Sequence, residues 1–85
     1  MKLALTKSAG KVLDALQPKL AALMDELAAI AADPFGPHPR AKRLHGGRDE
    51  FRLRHGGRRV LYLLDRGADT MIVTAVETRG EAYKK

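Results

Sequence analysis

Seven residues near the middle of the chain, Asp33-Pro34-Phe35-Gly36-Pro37-His38-Pro39, divide it into two halves that cannot share one kind of secondary structure. Three prolines remove three backbone donors, and each biases the residue before it away from the helical region. Neither a helix nor a central strand runs through such a segment. Before it, apolar residues recur at helical spacing; after it, they alternate. With 85 residues in all, neither half can build a core alone, so both are expected to share one, giving a single domain over residues 1–85.

The first half opens with Lys2 to Leu5, which reads as a short strand. Thr6 or Ser8 can cap a helix, since a side-chain oxygen there accepts an otherwise orphaned N–H. Val12, Leu13 and Leu16 follow at helical spacing. Pro18 suits the first turn of a second helix, where its missing donor costs nothing. Leu20, Leu23, Leu27, Ile30 and Ala31 form one stripe on that helix, while Lys19, Asp25 and Glu26 fall largely off it. Frequent alanines lower the entropy cost of helix formation. The result is a helical hairpin with apolar faces turned the same way.

In the second half Phe51 and Leu53 point one way and Arg52 and Arg54 the other, as in a half-buried strand. Gly56-Gly57 predicts a tight hairpin turn, because glycine accepts positive φ without penalty. Arg59 to Asp65 is the second arm, with Tyr62 set among apolar residues and therefore a core side chain. Arg66 to Asp69 is another turn. Thr70 to Val76 is a third strand, apolar on both faces through Met71, Ile72 and Val73, hence interior or covered by helices. The fold class is α+β: a short N-terminal strand, a helical hairpin, then an antiparallel β-meander with the helices on one sheet face. The opposite face would carry Arg52 and Arg54.

Charge is distributed unevenly. Arg40 to Arg59 holds Arg40, Lys42, Arg43, Arg48, Arg52, Arg54, Arg58 and Arg59 against Asp49 and Glu50, which accounts for the whole net charge of +6. A localised basic patch points to a polyanion, and the planar guanidinium fork suits phosphate oxygens. No cysteine is present, which excludes disulfides and thiolate chemistry. His38, His45 and His55 are dispersed, and their spacing fits no standard ligand motif. No metal and no cofactor are expected, and no magnesium-type acidic cluster is visible. No stretch approaches the ~18 apolar residues of a membrane span, and the N-terminus is too short and interrupted for a secretory signal, so a soluble cytoplasmic protein is expected.

Several stretches in order resemble the RelE/ParE superfamily of bacterial toxins from toxin–antitoxin systems. They are Asp33-Pro34-Phe35-Gly36, Lys42-Arg43-Leu44-His45-Gly46, Phe51-Arg52-Leu53-Arg54, Gly57-Arg58-Arg59-Val60-Leu61-Tyr62 and Val76-Glu77-Thr78-Arg79-Gly80-Glu81-Ala82-Tyr83. The likeness covers nearly the whole chain. RelE-like members of that superfamily cleave messenger RNA in the ribosomal A site; ParE-like members inhibit DNA gyrase and lack the nuclease residues. The RelE-type site is a set of basic side chains on the sheet with a C-terminal arginine and tyrosine. The resemblance implies that Arg52, Arg54, Arg59, Arg79 and Tyr83 form it, with Arg40, Lys42, Arg43, Arg48 and Arg58 binding RNA around it.

This chain departs from the pattern in two ways. Arg52 and Arg54 stand where RelE has lysine, and arginine's very high pKa makes it a poor proton acceptor. Many relatives read Gly-His-Arg before the last arginine, whereas this chain has Glu77-Thr78-Arg79. A carboxylate at 77 either repels RNA or accepts a proton, and the sequence leaves both open. Tyr83 is the leading base or orienting group, with Glu77 and His55 as the others.

The reaction implied is metal-independent transfer of the phosphodiester to the ribose 2′-hydroxyl, with arginines stabilising the phosphorane. The partners implied are a cognate antitoxin protein, the ribosome and mRNA. Two alternatives stand beside this: a ParE-like gyrase inhibitor without catalysis, and a catalytically inactive relative that only binds nucleic acid.

Overall fold

The computed structural model describes residues 1–16, 21–44 and 49–78. The elements run β1 (Lys2–Leu5), α1 (Lys7–Leu16), α2 (Ala21–Ala32), β2 (Ala41–Arg43), β3 (Glu50–His55), β4 (Arg58–Asp65) and β5 (Thr70–Thr78). Helix α2 ends at Ala32, immediately before the proline-rich segment, and the described residues after that segment are strands and the turns and loops that join them. The five strands make one sheet in the order β1-β5-β4-β3-β2. Strands β2 to β5 are antiparallel neighbours, whereas β1 pairs parallel to β5, Lys2 opposite Thr70 and Leu5 opposite Val73.

Strand β2 and the parallel pairing of β1 are additions to the sequence reading. Three residues are too few to display an alternation, and the parallel partner of β1 lies at the far end of the chain, where no local signal points to it. With β1 on one side and β4 on the other, β5 is interior, which accounts for its apolar run. Gly56 takes φ 61° in the β3–β4 hairpin, and Asp69 takes φ 52° in the turn before β5, a conformation that aspartate tolerates better than most residues.

Thr6 joins the helices to the sheet. Its Oγ1 accepts the Ala9 N–H at 3.3 Å, capping α1, and its hydroxyl donates to the Thr74 carbonyl at 3.2 Å. Its own N–H donates to the Val73 carbonyl at 3.0 Å. Of the two proposed caps, Thr6 serves. Leu13 is buried from α1, with Ala9 beside it, and Leu23, Leu27, Ile30 and Ala31 are buried from α2. The predicted stripe is thus realised from Leu23 onward; Pro18 and Leu20 lie outside the described residues. Each buried leucine contributes about 1.5–3 kcal/mol by leaving water.

The sheet answers with Leu53, Val60, Tyr62, Leu64, Met71, Val73 and Val76 on the same side. Tyr62 is 2% exposed, stacks on Phe51 with ring centres 5.2 Å apart, and has its phenol pKa pushed up to about 12 by burial. Among the described residues no charged side chain enters the core. No described helix is long and apolar enough to cross a membrane.

Candidate nucleic-acid interface

One buried row decides which way the basic side chains face. Ala41 stands opposite Leu53, Leu53 opposite Val60, and Val60 opposite Val76, across four adjacent strands. Leu53 and Val60 are fully buried and Val76 is 7% exposed, all beneath the helices. Successive strand residues alternate sides, so the rows flanking this one point away from the helices. One flanking row is Lys42, Arg52, Leu61 and Ala75; the other is Arg54, Arg59 and Glu77.

Within each row, neighbouring residues on antiparallel strands sit about 4.5–5.5 Å apart at Cα. Arg54 is directly opposite Arg59, and Arg59 directly opposite Glu77. The Gly56-Gly57 turn sets that register by closing the hairpin two residues beyond Arg54. Like charges directly opposed on a strand pair destabilise it. Arg54 and Arg59 are nonetheless both exposed, and among the described residues Lys42, Arg52, Arg54 and Arg59 make no ion pair. Further along the same face the basic side chains give way to Leu63 and Ile72, with Glu50 abreast of them.

Arg40, Arg43, His55 and Arg66 have other partners. Arg40 Nε lies 3.2 Å from Glu26 Oε2, and His55 Nδ1 lies 2.7 Å from Glu26 Oε1. Arg43 pairs with Asp49, as does Arg66 at 2.7 Å through Nε. The Arg43 guanidinium lies over the Phe51 ring, 5.4 Å from its centre, and that of Arg66 over Phe35 at 4.5 Å. Arg58 stands opposite His55 on the helix side, half-buried, with its Nε out of water and without a partner. Each contact ties a loop or helix to the sheet: Glu26 holds α2 to the end of β3, and Asp49 holds the β4–β5 turn to β2.

Of the sequence-proposed site residues, the fold therefore brings Arg52, Arg54, Arg59 and Lys42 together on the open face. It places Arg40, Arg43 and Arg58 on the side or edge that faces the helices and loops. Arg48, Arg79 and Tyr83 lie outside the described residues. His55 faces the helices, held by Glu26, rather than the open arginines. Sequence reasoning gave no role to Glu26, Asp49 or Arg66. Their only signal was a charged residue off the apolar stripe of α2 or beside the end of a strand, which many solvated residues share.

No family model matches the chain, and no curated protein matches it. Solved structures do. A chain of the toxin–antitoxin complex RelBE2 from Mycobacterium tuberculosis is 26% identical, the match covering 92% of this chain and 96% of that one with a TM-score of 0.69. The isolated E. coli RelE toxin is 20% identical over 98% of this chain and 95% of its own, with a TM-score of 0.78. A YoeB/ParE toxin from Agrobacterium tumefaciens is 17% identical over 92% and 98%, with a TM-score of 0.71.

Proposed function

We propose that this chain, which has the fold of the RelE/ParE toxins, is itself the toxin of a type II toxin–antitoxin system and acts as a ribosome-dependent mRNA endoribonuclease. The observation that carries the reading is the pair Arg54 and Arg59, exposed side by side on the face the helices leave open, with Arg52 and Lys42 in the next row. Such an arrangement raises the local positive potential and is relieved by phosphate.

The reaction is attack of a ribose 2′-oxygen on the adjacent phosphorus, leaving a 2′,3′-cyclic phosphate and a free 5′-hydroxyl. Arg59, with Arg54 or Arg52, holds the non-bridging oxygens, whose negative charge grows in the transition state. Guanidinium groups stay protonated at any relevant pH, so they act as fixed charges and not as bases. Arg79 is assigned by resemblance to leaving-group stabilisation, and Tyr83 to proton acceptance or substrate orientation. The ribosome supplies the extended, in-line geometry of the message, so the isolated protein is expected to be a poor nuclease. An antitoxin with an acidic or amphipathic segment would neutralise the open face, and the similar chain in the RelBE2 complex is consistent with such a partner.

The test is to add purified protein to translating ribosomes and map the 5′ ends of the message. Cleavage within A-site codons is expected. Intact message together with a supercoiling defect would instead assign the protein to gyrase inhibition, and intact message with salt-sensitive RNA binding to a non-catalytic binder.

A further inference from the structure

The open face contains a carboxylate where the proposed reaction needs a proton acceptor. Glu77 lies directly opposite Arg59, which lies directly opposite Arg54, so the acid is third in the row that would hold the phosphate. Its neighbour Val76 is buried under the helices, which turns Glu77 to the opposite side, where it is exposed. Among the described residues it makes no ion pair, although Glu26 and Asp49 each hold two basic side chains. Two strand spacings separate Glu77 from Arg54, roughly 10 Å at Cα.

We infer that Glu77 accepts the 2′-hydroxyl proton in the cleavage reaction proposed above, an assignment that rests on that reading. The 2′ O–H bond breaks as its proton passes to the Glu77 carboxylate. The 2′-oxygen bonds to phosphorus, the bond from phosphorus to the 5′-oxygen breaks, and the leaving oxygen takes a proton from water. Glu77 then returns its proton to solvent. Arg59, between Glu77 and Arg54, holds the phosphate against the acid, and its charge offsets the repulsion that a lone carboxylate exerts on RNA.

The other described groups of the right chemistry are placed elsewhere. His55 turns to the helices with Nδ1 on Glu26, and Tyr62 is buried against Phe51. Glu50 shares the open face, but its cross-strand neighbour is Leu63, two rows removed from Arg54 and Arg59. It therefore serves as a matched control: the same charge change on the same face, away from the phosphate row.

The experiment measures single-turnover cleavage of a ribosome-bound message at saturating protein, and separately the affinity for the programmed ribosome. Wild type, E77Q, E77D and E50Q are compared, with thermal midpoints for each. E77Q is expected to slow cleavage about 100-fold or more, the scale of a lost general base, while binding holds or tightens because a negative charge is gone. E77D is expected to recover part of the rate, and E50Q to cleave within a few-fold of wild type. Cleavage by E77Q at the wild-type rate or faster identifies Glu77 as a repulsive charge and overturns the assignment alone. A slow E77Q that also binds weakly or melts early overturns it in favour of a structural role. Intact message with the wild-type chain overturns the nuclease reading and this assignment with it.

Discussion

The two faces of the sheet use the same residue type for opposite ends. On the helix side and along its margins, Arg40, Arg43 and Arg66 each meet a carboxylate, and Arg43 and Arg66 also lie over aromatic rings. On the open side Arg52, Arg54 and Arg59 are left without such partners among the described residues, two of them directly opposed. A charge that is neutralised and packed is part of the scaffold. A charge kept exposed beside another of the same sign lowers stability slightly, and the arrangement makes sense where an anionic ligand supplies the missing partner. Position on the sheet therefore separates exposed, unneutralised arginines from paired ones among side chains that composition alone treats as one basic patch.

Several experiments would break or sharpen that contrast. The largest effect is expected at Leu53, the fully buried residue whose flanks are Arg52 and Arg54. Leu53→Ala should lose about 2–5 kcal/mol in denaturant unfolding, and if it is tolerated the row does not fix the faces. Next comes the double change Arg54→Ala with Arg59→Ala. Cleavage on ribosomes should fall about 100- to 1000-fold, while the melting temperature stays level or rises as the like-charge repulsion is removed. A loss of stability would put these arginines among the scaffold residues.

Alkaline titration probes the covered face through Tyr62. The Tyr62 phenol is held near pKa 12 when folded and near 10 when unfolded. Its neutral form is favoured by folding, so the contribution is constant below pH 10 and is lost as pH rises towards 12. About 2–3 kcal/mol should disappear across that window, tracked by denaturant midpoints and phenolate absorbance, and Tyr62→Phe should remove the dependence. The smallest effect belongs to the margin. Asp49→Asn frees Arg43 and Arg66, both well exposed, and should lose about 1 kcal/mol. It should leave the salt dependence of single-stranded RNA binding at the wild-type slope, to which each of Lys42, Arg52, Arg54 and Arg59 contributes about −0.7 where it meets a phosphate. A slope steeper than that of wild type would mean that the freed margin arginines also reach phosphate.

What was legible in the chain follows from interactions that are local. The proline segment, the stripe from Leu23 to Ala31, the Gly56-Gly57 turn and the alternation of Phe51 and Leu53 with Arg52 and Arg54 all act over a few residues, and each appears in the fold as read. Pairings over distance were not legible. Glu26 is 29 residues from His55, and Asp49 is 17 from Arg66. Nothing near either acid signals its partner, because many loops of the same length close at nearly equal entropic cost. The same holds for β1, whose parallel partner lies across the whole chain.

By itself the sequence determined the kinds of element, their order, and the presence of one strongly basic stretch, since backbone propensity, side-chain period and local charge are properties of neighbouring residues. Only the tertiary structure decided which cations of that stretch are neutralised and which are presented, and that a carboxylate joins the presented row. Those outcomes depend on strand register and on where α2 and the turns come to rest, and register is a relation between segments that no single segment encodes.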